Sequence, residues 1–183
     1  MDKRLEMIED ENLRSVPVDP VGLRKYIIEL LGSLTTVKKN HNKRVSILGE
    51  AGVHLRCLGD LKEAEQVLRE ALRIVNEEQL GLRREVQQKI RLAHVLQYQG
   101  QFKRSNALFE EVISVCRTND EASELLDFAL QHAGKNLFDQ NRFTEALPLF
   151  EEAMKVRMKR NAPEDQIKST AKAIARTKAL LQN

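Results

Sequence analysis

His94 and His132 are the residues of this sequence that come nearest to a chemical site. Two imidazoles facing one pocket begin a metal site, but zinc needs a third protein donor, and only guesswork would bring in Cys57 or Asp139. Two hydrogen-bonded or solvated imidazoles in a polar groove are the better reading, and they make binding responsive to pH. His41 and His54 have no evident partner in the sequence. Glu110-Glu111 and Glu151-Glu152 offer paired carboxylates for acid–base work. Adjacent helical residues point about 100° apart, however, so these pairs read as a solvated face. Cys57 and Cys116 stand alone without a CxxC and read as free thiols in a reducing compartment. There is no phosphate-binding loop, GxSxG or HExxH. The chain is read as a non-enzyme with no metal and no cofactor.

Composition fits that reading. The 183 residues are 42% hydrophobic, 31% charged and 4% aromatic, without Trp, and only 8 Gly and 4 Pro interrupt them. Long uninterrupted segments rich in Leu, Ala, Glu, Lys, Arg and Gln favour helix, and no alternating run reads as a strand. No stretch approaches the roughly 20 apolar residues of a membrane span, and the start, MDKRLEMIEDEN, is charged where a signal peptide is apolar. The expectation is a cytoplasmic protein. The net charge of +3 is modest but uneven, because Met154 to the end carries 8 Lys and Arg against 2 Asp and Glu. A basic tail suits an anionic partner. It has no aromatic residue for stacking, which argues against nucleic acid.

The elements that would position these residues recur at a fixed period. GDLKEAEQVLREAL from Gly59 returns as GQFKRSNALFEEVI from Gly100 and as NRFTEALPLFEEAM from Asn141, each copy 41 residues after the last. Repetition at such a period predicts stacked helical hairpins, each too small to bury its apolar face alone. Residues 1–19 are an N-terminal extension, with LEMIEDENL expected as a frayed helical turn or two. A capping helix and linker span 20–43, begun by Asp19 as N-cap and Pro20 at the first helical position. Hairpins occupy 44–81, 82–118 and 119–162, the last opening on a helix that runs unbroken to Gln140. Asn141 replaces glycine in the third turn because it tolerates a left-handed backbone. A terminal helix covers 163–183, with Ile167, Thr170, Ala171, Ile174, Ala175 and Leu181 as its apolar side. Pro148 is assigned to the start of its helix, where one lost N–H is tolerated.

The slots of this repeat resemble the tetratricopeptide repeat. Repeat one offers Gly52, Leu55, Gly59, Leu61, Ala64, Leu68 and Ala71. Repeat two offers Ala93, Leu96, Gly100, Phe102, Ser105, Phe109 and Val112, and repeat three Gly134, Leu137, Asn141, Phe143, Ala146, Phe150 and Ala153. The period exceeds the usual 34 residues and is similar to the long-repeat members, such as the kinesin light chain and bacterial peptide-binding regulators. The resemblance implies an all-α, right-handed superhelical solenoid.

It also implies that the first helix of each hairpin lines a concave groove. Arg56, Arg91, His94, Gln97, Tyr98, Phe128, Gln131, His132, Lys135, Lys172 and Arg176 are then the groove residues. Basic groups with Tyr98 and Phe128 as anchors suit a peptide or protein segment carrying carboxylates. Members that clamp chaperone C-termini use Lys, Asn and Arg at positions held here by Gly49, Val53, Arg91, Phe128 and His132, so most of that clamp is missing. The expected function is non-catalytic protein–protein interaction, as adaptor, scaffold or regulatory subunit. Self-association through Pro20 to Leu34 (a homo-oligomer), sensing of a small signalling peptide, and nucleic-acid binding by the terminal helix are the alternatives. The acidic run Glu9-Asp10-Glu11 could also lie in the groove as an internal ligand.

Overall fold

Helical hairpins dominate the computed structural model, which describes residues 2–182 and divides into two compact units between Gly100 and Gln101. In the first unit, a two-stranded antiparallel sheet pairs β1 (Met7–Glu9) with β2 (Ser15–Pro17), in the register Ile8 opposite Val16. Three helices and a fourth follow: α1 (Pro20–Gly32), α2 (His41–Leu58), α3 (Leu61–Glu77) and α4 (Leu82–Tyr98). The second unit holds α5 (Phe102–Thr118), the single turn α6 (Asp120–Ser123), α7 (Leu126–Asp139), α8 (Phe143–Lys159) and α9 (Glu164–Leu181).

The strands correct the expectation of a frayed helical turn. Asp10 decides the matter locally, because its Oδ1 accepts the N–H groups of Asn12 and Arg14 at 2.9 and 2.8 Å and bends the chain back. Ile8 and Val16 then meet across the ladder as a β-branched pair.

Helix starts and stops follow the side chains. Asp19 caps α1 by accepting the Gly22 N–H at 2.8 Å. Asn40 caps α2 by accepting the Lys43 N–H at 3.0 Å, so this helix begins three residues before the expected Arg44. The turns after α2, α4 and α7 are left-handed at Gly59 (φ 83°), Gly100 (φ 71°) and Asn141 (φ 59°), as the repeat required.

Packing explains the small residues. In the first unit α2 and α3 cross where Gly52 faces Leu68, and a Cβ on Gly52 would stand 2.5 Å from Leu68 Cγ. In the second unit α7 and α8 cross where Gly134 faces Phe150, and a Cβ there would stand 2.6 Å from the ring. Ala64, Leu68, Ala71, Ala146, Phe150 and Ala153 are all fully buried, and burying one Leu or Phe side chain stabilises by about 1.5–3 kcal/mol. Leu31 and Leu34 join the cluster of Val45, Leu48, Ala71, Ile74 and Val75, which fixes the capping helix to the first repeat. The outer face of α3 carries Glu65–Arg69, Glu70–Arg73 and Arg73–Glu77 ion pairs at helical spacing.

Three further details differ from expectation. The first helix of repeat three breaks after Ser123 and resumes at Leu126, and at the break Arg160 Nη1 donates to the Glu124 carbonyl at 2.8 Å. In α9 the buried residues are Thr170, Ala173 and Thr177, while Ala171, Ala175 and Leu181 are exposed. Both threonine hydroxyls donate to the carbonyl four residues earlier, Gln166 and Ala173, so each goes into the interior satisfied. Pro148 is the sixth residue of α8 rather than part of its first turn, and the helix continues through it at the loss of one backbone donor.

Candidate functional site

In the first unit, α4 places Arg91, His94 and Tyr98 at spacings of three and four, so one helical face presents all three. The last turns of α2 add Arg56 and Cys57. Arg56 is the centre of the group. Its Nη1 lies 3.5 Å from His94 Nε2, its Nη2 donates to Cys57 Sγ at 3.6 Å, and its guanidinium sits 4.7 Å from the Tyr98 ring centroid. His94 meets the same ring edge-on at 5.2 Å. Arg56, His94 and Gln97 are buried, so what the sequence suggested as an open groove is a packed polar-aromatic layer.

Arg91 lies one turn below. Its Nη1 donates to Gln88 Oε1 at 3.3 Å, and both atoms press against α2 at Gly49. A Cβ on Gly49 would come within 2.0 Å of Arg91 Nη1 and 2.5 Å of Gln88 Oε1, so the glycine makes room for the pair. Burial pushes the Arg91 guanidinium below its usual pKa, opposed only by the Glu50 carboxylate. Among the described residues, neither Arg56 nor Arg91 forms an ion pair, and Gln88 Nε2 is buried without a hydrogen-bond partner. Guanidinium groups withdrawn from water normally find a carboxylate, and among the described residues these two have none within ion-pair distance. His54 borders it. Burial first, then the nearby Arg56 and Arg91 charges, hold that imidazole below its ordinary pKa, although Glu50 works the other way. The Glu50 carboxylate accepts from the Tyr26 hydroxyl, and that hydrogen bond pushes the phenol up to about 12.

The β-hairpin lies on this layer. Arg14 stands 4.7 Å from the Tyr98 ring centroid, the backbone of Ser15 faces the Tyr98 hydroxyl, and Leu13 is 1% exposed. Burial raises the Tyr98 pKa against the pull of both arginines.

The second unit contributes a separate set on α7. Phe128 is half-buried, with the guanidinium groups of Arg157 and Arg160 each 5.6 Å from its ring. Gln131 and Lys135 are buried, and both amide atoms of Gln131 lack a hydrogen-bond partner among the described residues. His132 is half-buried, and Lys172 and Arg176 are exposed on α9. Beneath Phe128, Asp127 is fully buried and pairs with Arg157 Nε and Arg160 Nη1, both at 2.8 Å. Arg157 also donates to the Gln166 carbonyl at 2.8 Å and to the Thr170 hydroxyl, so one carboxylate ties α7, α8 and α9 together. A cavity of about 490 Å³ opens elsewhere in this unit, floored by Phe109, Ile113 and Leu149 and rimmed by Arg117, Arg142 and Glu145.

Residues 87–159 match the family model of the tetratricopeptide repeat. That stretch resembles tetratricopeptide repeats, and the chain has the all-α fold of such repeats. Two crystal structures of nearly identical TPR-like repeats, from a Podosopora anserina protein described as a kinesin light chain, share the fold. One aligns with a TM-score of 0.61 at 16% identity over 88% of this chain and 80% of its own. A single-substitution variant of it gives 0.62 at 16% identity over 88% and 79%. No match is found among curated proteins. Tetratricopeptide repeats mediate protein–protein interaction, so the repeat surfaces described above are where a partner is to be sought. Among the described residues, no group of three or more His, Cys, Asp or Glu is placed to hold a metal ion, and no helix is long and apolar enough to cross a membrane.

The residues that sequence reasoning missed are Arg14, Gln88, Asp127, Arg157 and Arg160. Asp127 alone carried a signal, as one acid inside the apolar run LLDFAL. Arg157 sits among Lys and Arg residues that all read as solvent-facing.

Proposed function

We propose that the tetratricopeptide array binds a segment of a partner protein that carries carboxylates, without altering it covalently. The observation behind this is the pair of cations on the α2 and α4 face, buried Arg56 and half-buried Arg91, neither of them ion-paired among the described residues. Tyr98 supplies an apolar anchor beside them, and Gln97 and His94 supply hydrogen-bonding groups. In the second unit Phe128, Gln131, His132 and Lys135 offer the same combination of aromatic, amide and cation, and Lys172 and Arg176 add exposed charge on α9.

The test is a panel of labelled 12-residue peptides, acidic, neutral and basic, titrated against the whole chain by fluorescence anisotropy. Acidic members are expected to bind best, to weaken as salt rises, and to lose at least tenfold in affinity with Arg91→Met. Binding indifferent to peptide charge, or unchanged by that substitution, would refute the reading. A second reading rests on exposed apolar side chains of the first unit: Val21 and Ile28 on one face of α1, at 67% and 66% exposure. It assigns that face to a second copy of the chain, and sedimentation at rising concentration tests it.

A further inference from the structure

We infer that the cavity between α5 and α8 of the second unit is a docking site for one bulky, uncharged side chain of a partner protein. It uses none of the residues of the α2 and α4 face and does not rest on the acidic-ligand reading above.

Its floor is apolar. Phe109 and Ile113 of α5, Ala133 and Leu137 of α7 and Leu149 of α8 line an opening of about 490 Å³, within the roughly 300–1,000 Å³ of ligand sites. The polar groups around that floor are already engaged inside the protein. Asn106 Oδ1 accepts from Asn136 Nδ2 and, at 2.9 Å, from Gln140 Nε2, while Ser105 Oγ donates to Asn136 Oδ1 at 2.6 Å. This network ties α5 to α7 beneath one end, so the opening is preformed. The Thr118 hydroxyl donates to the Ser114 carbonyl at 3.0 Å.

The charges of the rim are matched as well. At one end Arg117 Nη2 of α5 donates to both carboxylate oxygens of Glu152 on α8, at 2.8 and 2.7 Å. At the other, Arg142 donates to Glu145 at 2.7 and 2.6 Å, and Glu110 of α5 adds to the attraction on Arg142 from the opposite wall. An anionic ligand therefore finds both guanidinium groups taken. A cationic one finds Glu110, which is exposed to water, where an ion pair gains little. What the rim leaves to be recognised is the floor, and covering it is favourable for an uncharged apolar group ringed by polar residues.

Size and exposure favour a side chain over a stretch of chain or a free small molecule. Glu110 and Arg117 are seven residues apart on α5, about 10.5 Å at the helical rise, so the charged groups at the two ends frame room for one large side chain. Ser114, Thr118 and Arg142 on the rim are exposed. A small-molecule site encloses most of its ligand, whereas this opening leaves one side to water. A side chain carried by another protein covers that side with its own backbone and neighbours.

The test uses the whole chain, isotope-labelled for NMR, and uncharged helical peptides of Ala and Gln with one central Phe or with Ala in its place. The Phe peptide is expected to shift the amides of residues 109–118 and 145–149 and to bind at least tenfold more tightly than the Ala peptide. Its affinity should change less than twofold from low to high salt. Ser114→Trp, which closes the opening from an exposed position, and Leu149→Gln should each weaken it at least tenfold with helicity unchanged. Arg91→Met should leave it as it was, which separates this site from the one proposed for acidic segments. Equal binding of the two peptides, shifts confined to other residues, or indifference to both variants overturns the proposal. So does N-acetylphenylalaninamide binding as tightly as the Phe peptide, because the opening is then a small-molecule pocket.

Discussion

Replacing Asp127 by alanine tests the account of how the second unit is held together. The carboxylate is completely buried and neutralises two guanidinium groups, Arg157 at 4% and Arg160 at 33% side-chain exposure. Its loss leaves Arg157 charged, buried and supported by the Gln166 carbonyl, the Thr170 hydroxyl and the face of Phe128, none of which carries a negative charge. Removing one partner of a buried pair costs about 3–5 kcal/mol. The Arg160 contribution is small because that side chain can turn to water, so a loss of about 3–4 kcal/mol is expected. For a chain of this size that corresponds to roughly 6–16 °C in Tm. Urea unfolding followed by circular dichroism gives the number. Limited proteolysis should show α9 released first, since Arg157 bonds it to α8 through Gln166 and Thr170 and the remaining Glu151–Lys178 pair is solvent-exposed. The double replacement Asp127→Leu with Arg157→Met should recover much of the loss, because apolar residues of similar size carry no desolvation penalty. An Asp127→Ala chain within about 1 kcal/mol of the parent would refute the reasoning.

Gly52→Ala and Gly134→Ala should each cost about 1–3 kcal/mol in urea unfolding, since the new Cβ meets Leu68 or Phe150 inside van der Waals contact. His54 adds a pH dependence. Its folded pKa lies below 6.5 because burial penalises the imidazolium, so its contribution is complete above about 6.5 and is lost as the pH falls toward the folded value. Unfolding measured between pH 7 and 5 should therefore show less loss of stability in His54→Gln than in the parent. The two thiols should separate in a thiol-reagent assay at pH 8. Burial and then the Asp127 charge push Cys116 up to about 11, so it should react only on unfolding, well after the half-buried Cys57.

Much of the fold was written in local chemistry. The 41-residue period, the left-handed turns at Gly59, Gly100 and Asn141, the Asp19 cap and the small residues at the helix crossings all follow from single side chains and their neighbours, whereas the Asn40 cap lay in a stretch read as linker. The candidate site was less legible. Arg56, His94 and Tyr98 were named and do meet, but their burial was not foreseen, because the covering hairpin is made by one Asx turn at Asp10 in a stretch without strand periodicity.

Alone, then, the sequence determined the repeat, its helices and the small and large residues that let hairpins stack, because those depend on contacts within a hairpin and on backbone geometry at single residues. Only the tertiary structure decided which charged residues are buried. Arg157 looks on the page like its neighbours Lys155 and Lys159, yet it is 3% exposed because Asp127, thirty residues earlier, lies within 2.8 Å of it. Arg14 lies over Tyr98 for the same kind of reason. The free energy of a buried charge is set by partners that are distant in the chain, and no window of sequence contains them.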